Sequence, residues 1–292
     1  MTNYKSKQSR NLNGKKYSKE EYSAYKEKER NDVYALVDEA ISKLVDRPDE
    51  FKAYLDTQSK FDRYSVANAL LIKEQYPNAI QLRDYKEWGE SGVQVKRGAK
   101  SISILEPIEY TRKDGSSCVT YKVKKMFDVS QTNSHYRMTK SVNRDATKLV
   151  KALLETSNID YQAIEHIPDD RAAFFDTESA TLYIKVGVGD ATKLFQEVAS
   201  ELSLAEIFFN CDSFNRIDAQ FSADCASYMI CKKYGVDVKG IDVDKTPLRW
   251  RTMEHKDIRE ELTMARDSLN ELNTKLYFEL NKDRDSREQQ ER

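Results

Sequence analysis

The apolar residues change period at Ser101, and this limits the chain to a mixed architecture. Val33, Leu36, Val37, Ala40, Ile41 and Leu44 recur three and four apart, the spacing of one helix face. Asp46-Arg-Pro48 ends that helix and opens a second, because proline suits a first helical turn. Phe51, Tyr54 and Leu55 form the second helix's apolar face. A third helix is expected from about Tyr64 to Gln75, ended by Pro77, and a short one over Leu82 to Glu90. Beyond Ser101 the spacing drops to two. Ile102, Ile104 and Ile108 alternate, as do Val119, Tyr121 and Val123, with Asp114-Gly115 between them as hairpin turn chemistry.

The second half repeats the mixture. A helix is expected from about Asn143 to Glu155, then a hairpin of Ala172–Phe175 with Thr181–Val186. Asp190 is placed to cap a helix with Leu194, Phe195, Val198 and Leu202 inward, and another helix follows from about Ile217 to Tyr234. In the last helix Ile258, Leu262, Ala265, Leu269, Leu272 and Leu276 step by four and three, a heptad seam. A seam of fewer than three heptads is marginal as a free coiled coil, which favours packing back on its own chain. The expected fold class is α+β in two domains. Along the chain the expected segments are a basic arm over 1–31, the first domain over 32–131, a linker over 132–142, the second domain over 143–254, an amphipathic helix over 255–280 and an unstructured tail over 281–292.

The net charge of −1 hides an asymmetry. Residues 1–137 hold 26 Lys+Arg against 20 Asp+Glu, and residues 138–292 hold 22 against 29. A basic half suggests a polyanion partner, with plain solvation as the alternative. The amino terminus lacks an apolar signal region, and no stretch approaches a membrane span, so a cytoplasmic protein is expected. Cys118, Cys211, Cys225 and Cys231 have no CxxC spacing and read as reduced thiols.

The materials for holding a single nucleic-acid strand collect between Tyr54 and Lys125. Arg63, Tyr64, Ser65 and Asn68 lie at one helix start, and Trp88 is a candidate stacking surface. Lys96, Arg97 and Lys100 bracket Gly98, where backbone can approach a phosphate, and Lys122, Lys124 and Lys125 make the hairpin basic. For Trp88, Tyr64 and Asn68 a core role competes with the binding one.

Tyr54-Leu-Asp-Thr-Gln58, Tyr64-Ser65-x-x-Asn68-x-Leu70-Leu71, Trp88, Val95-Lys-Arg-Gly98 with Lys100, and Phe127-Asp-Val-Ser-Gln131 together resemble the amino-terminal domain of the ArdC antirestriction family. The resemblance implies single-stranded DNA binding and carriage on plasmids or conjugative elements. Residues 143–254 are similar to the zinc-peptidase half of that family, including its LtrC-like members, where a hairpin precedes an HExxH helix and a later helix adds an acidic ligand. Here both histidine positions differ, as Gln196 and Ser200. Glu197 stands at the general-base position and Asp224 at the third-ligand position.

Two imidazoles four residues apart give zinc its ligands on one helix face, and an amide and a hydroxyl do not replace them. Without zinc no water is activated, so the reading has no catalytic residue, no cofactor and a zincin-like domain that is catalytically silent. His135, His166 and His255 match none of the ligand positions. The function expected is a single-stranded DNA-binding, antirestriction-type accessory protein of a mobile element or phage. Two alternatives stay open. One is an interaction protein that binds a host factor through the acidic second domain or the heptad helix. The other is a metal-dependent hydrolase in which Glu197, Glu201 and Asp224 hold a divalent cation.

Overall fold

The computed structural model describes residues 18–112, 114–134 and 144–290, with side chains through residue 282. Helix α1 (Lys19–Asp46) begins inside the stretch expected to be a flexible arm. The reason is local. Ser18 Oγ accepts from Glu21 N–H while Glu21 returns a bond to Ser18 N–H, a capping box that satisfies two otherwise orphaned donors. Helices α2 (Pro48–Lys60) and α3 (Val66–Gln75) follow as the spacing requires. The stretch expected to be one short helix over 82–90 splits into strand β1 (Leu82–Asp84) and helix α4 (Tyr85–Glu90), because Asp84 and Glu87 form a second capping box between them.

Strands β2 (Ile102–Thr111) and β3 (Ser117–Asp128) form the expected hairpin, with Gly115 at φ +84° in its turn. All three residues of β1 pair with the end of β3, so the sheet runs β1-β3-β2, antiparallel throughout.

The second half holds α5 (Ala146–Glu155), β4 (Tyr161–Ile164), β5 (Ala173–Asp176), β6 (Thr181–Lys185), α6 (Ala191–Asn210), α7 (Arg216–Tyr234) and α8 (His255–Gln290). Its sheet runs β4-β6-β5. β5 and β6 pair as the expected antiparallel hairpin, and β4 joins β6 in parallel, a pairing between segments remote enough that local periodicity does not announce it.

α8 continues to Gln290, past the point where apolar residues end. Its heptad residues Ile258, Leu262, Ala265, Leu269, Leu272 and Leu276 are all buried in the chain's own core. The seam is therefore consumed internally. One continuous core joins both halves: Phe51 on α2 stacks on Phe221 of α7, ring centroids 5.6 Å apart, and Trp250 meets both rings edge-on. The fold is thus α+β, with two small sheets carried on helices and a long carboxy-terminal helix spanning the core.

Candidate functional sites in the two lobes

In the first lobe, α3 runs beside the open edge of β2. Asn68 Nδ2 donates to Leu105 O at 2.9 Å, and Leu105 N–H donates to Asn68 Oδ1 at 2.8 Å. Two turns on, Gln75 exchanges the same pair of bonds with Ser103. Two amides on one helix face thus complete an edge strand that has no neighbouring strand on that side. Asn68, expected at the binding surface, is a buried edge clasp, and Ser65 is the N-cap of α3.

Trp88 also departs from the expectation. It is 3 % exposed, its Nε1–H donates to Phe127 O at 2.9 Å, and the Arg83 guanidinium covers its ring at 5.1 Å. A stacking platform needs an open face, and Trp88 has none to offer. Tyr64 is half-buried and packs edge-on against Phe61, with its phenol pushed up by burial and then by Glu87.

The cations divide into two sets. Lys122 pairs with Glu106; Lys124 with Asp84, Glu106 and Glu87; and Lys125 with Glu29 and the Ser103 hydroxyl. Burial draws the Lys124 ammonium down, but Asp84 and Glu106 outweigh it and the group is raised overall. Arg63, Arg97 and Lys100 are exposed and make no ion pair with a described residue.

Arg97 and Lys100 ride on a turn fastened to the stretch after β3. Lys96 N–H donates to Gln131 O at 2.8 Å, Gln131 Nε2 to Lys100 O at 2.7 Å, and Lys96 Nζ to Ser130 O at 3.0 Å. Gly98 takes φ +84°, which a side chain would strain. Asp128 anchors the base of the turn, accepting from Ile80 and Gln81 N–H on one oxygen and from Ser130 on the other.

In the second lobe, α6 and α7 face one another across a polar cavity of about 620 Å³. The structure brings all the expected positions to it: Gln196, Glu197, Ser200 and Glu201 from α6 and Asp224 from α7. Ser200 Oγ donates to Asp224 Oδ1 at 2.7 Å, and Gln220 Nε2 reaches both, at 3.0 and 3.1 Å. Gln196 Nε2 donates to Asp237 O at 2.6 Å and Lys239 O at 3.1 Å, tying α6 to the loop after α7. Burial raises the Asp224 carboxyl, against the hydroxyl and amide that donate to it.

Glu197 and Glu201 have been given different work. β5 is a sheet edge, and its outward backbone groups are met by side chains. Glu197 Oε2 accepts from Ala172 N–H at 2.6 Å and Ala173 N–H at 3.3 Å. Glu201 Oε2 accepts from Phe175 N–H at 2.7 Å, and Arg216 Nη1 donates to Phe175 O at 2.7 Å. Glu201 is fully buried between Arg171 and Arg216. This donor set does not fit a metal ion. The Gln196 amide and Ser200 hydroxyl are turned to protein acceptors, both glutamates are taken by backbone and arginine, and among the described residues no group of three His, Cys, Asp or Glu could hold one. His166 and His255 lie elsewhere, and His135 falls outside the described residues. Cys225 and Cys231 are buried thiols pushed up by burial, Cys231 to about 12, which disfavours the thiolate.

Two lobes of mixed helix and sheet, joined by a shared core and bounded by a long terminal helix, define an α+β class in which a helical first lobe carries a protruding hairpin. The particular fold is that of ArdC. The Mn(II)-bound crystal structure of the antirestriction ArdC protein from plasmid R388 superposes with a TM-score of 0.57 at 14 % identity, over 84 % of this chain and 97 % of that one. The metal-free structure of the same protein matches with a TM-score of 0.48, over 73 % and 85 %. An uncharacterised Bacillus anthracis protein, pXO2-81, is 23 % identical over 78 % of this chain. The chain spans about half, 48 %, of that relative's length. No protein-family model matches the sequence.

Proposed function

We propose that this chain is an ArdC-like, antirestriction-type protein of a plasmid, conjugative element or phage. Its first lobe binds single-stranded DNA, and its second lobe is a zincin-like scaffold without zinc chemistry. The observation that carries this reading is the Val95–Lys100 turn. Arg97 and Lys100 are held by backbone bonds rather than by neighbouring carboxylates, so their charge is available to phosphate. The ArdC fold and the plasmid origin of its bearer support the biological setting. Covering incoming DNA requires no bond breaking, so replacement of the zinc ligands does not remove the role. The protein acts in the cytoplasm, where incoming DNA meets restriction, and needs no cofactor.

The test is a binding titration against a single-stranded oligonucleotide and its duplex at several salt concentrations. Tighter, salt-sensitive binding to the single strand is expected. Replacing Arg97 and Lys100 with alanine should weaken binding to all sequences alike. Loss of two phosphate contacts should reduce the slope of log K against log salt by about 1.4. An unchanged slope would place the DNA surface elsewhere. No binding to either form would overturn the reading.

A further inference from the structure

The first lobe contains a second feature that the phosphate-binding turn does not use. A cavity of about 610 Å³ opens between α3, α4 and the β2–β3 hairpin. This size lies within the range of about 300–1,000 Å³ that holds small organic groups. The buried apolar side chains Leu82, Ile104 and Met126 line it together with Tyr64. The Tyr64 ring packs edge-on against Phe61, and Gln58 holds its backbone by donating to the Tyr64 carbonyl. The rim carries Glu87, Glu106, Arg83 and Lys124.

These rim groups are unequally occupied. Both oxygens of Glu106 are taken, one by Lys122 and one by Lys124. Arg83 bonds Ser91 Oγ and lies over Trp88. Glu87 is different. Its Oε2 accepts from Asp84 N–H at 2.7 Å, which fixes the side chain, while Oε1 lies 3.7 Å from Lys124 Nζ, beyond hydrogen-bond reach. The cavity therefore presents apolar side chains, an aromatic ring and one positioned carboxylate whose Oε1 is near the Lys124 charge but accepts no hydrogen bond.

We propose that this cavity receives one unstacked nucleobase of the bound strand and that Glu87 selects bases presenting an exocyclic amine over those presenting a carbonyl at that position. This rests on the single-strand reading above. The fit is chemical. Apolar side chains and a ring take a base's flat face. A carboxylate oxygen accepts from an amine such as cytosine N4 and repels a carbonyl. The strand's phosphates are left to Arg63, Arg97 and Lys100, which are exposed and have no ion pair with a described residue.

The experiment compares oligo(dC) with oligo(dU) of equal length, which differ in presenting an amine or a carbonyl at C4, by fluorescence anisotropy at fixed salt. Wild-type protein is expected to bind oligo(dC) about tenfold more tightly. Glu87→Gln keeps the Asp84 cap, because its amide oxygen can accept the same N–H, but turns a donor into the cavity. It should therefore abolish or reverse the preference while the melting temperature stays unchanged. Arg97→Ala with Lys100→Ala should weaken both oligonucleotides and leave their ratio intact.

Equal wild-type binding to the two, or a preference that survives Glu87→Gln, overturns the base pocket while leaving single-strand binding standing. No binding to either overturns both. Competition by a lysine-rich peptide rather than by cytidine would assign the cavity to a protein side chain and overturn the proposal.

Discussion

At the scale of single residues, the polar side chains that α6 and α7 bring together in the second lobe are engaged in hydrogen bonds with one another and with backbone. Asp224 shows this best. Burial lifts its carboxyl above the ordinary aspartate range despite the bonds from Ser200 and Gln220. The folded state therefore keeps the proton to higher pH than the unfolded state does. Its contribution to stability is fully present below the ordinary aspartate value and falls as pH rises through the raised one, remaining lost at neutrality. Asp224→Asn keeps the Oδ1 acceptor and removes the titration. The variant should melt higher than wild type at pH 7, with the gap closing toward pH 4. Identical melting temperatures at both pH values would show that the ionised carboxylate carries no cost there.

At the scale of elements, both lobes solve the same problem of an exposed sheet edge, and both solve it with a helix. α3 clasps β2 with the neutral amides of Asn68 and Gln75. α6 clasps β5 with Glu197 and Glu201, and Arg216 from α7 completes the edge. Both lobes thereby meet outward-facing edge groups that would otherwise be open to other chains. Because Glu201 is fully buried, it depends on its guanidinium partners. Arg216→Ala removes one of them together with the bond to Phe175 O. With Arg171 still present the cost should be about 2–3 kcal/mol, read as a drop of several degrees in thermal unfolding. A loss below about 0.5 kcal/mol would mean that Arg171 and water replace it fully.

At the scale of the whole molecule, the shared core makes the two lobes one folding unit. Phe51, Phe221 and Trp250 come from three distant parts of the sequence and meet at 5.4–5.7 Å. Tyr228 Oη reaches Asp56 across the same junction, as Lys232 does, and Asn273 of α8 donates to Asp62. Calorimetry should show a single transition. Phe51→Ala, at a fully buried position, should destabilise by about 3–5 kcal/mol and lower that transition without splitting it. Two resolved transitions would show lobes that fold independently.

What the sequence by itself determined was much of what neighbours along the chain govern. The periods of three to four and of two placed the helices and both hairpins, and Asp190, Pro48 and Asp114-Gly115 gave caps and turns where the structure has them. The capping box Ser18-x-x-Glu21 was equally legible, and it marks the helix start that the basic composition obscured.

Only the tertiary structure decided which side of a residue would be covered. Trp88 could be platform or core, and Phe127 and Arg83 closed over it. Lys122, Lys124 and Lys125 read as a basic hairpin until β2, β1 and α1 brought carboxylates to them. Glu197 kept a catalytic-looking place in the sequence, yet the edge of β5 uses its oxygen as an acceptor. The physical reason is common to all three. Local propensity is set over a few residues, whereas desolvation and charge pairing are set by groups that approach only after the chain has folded.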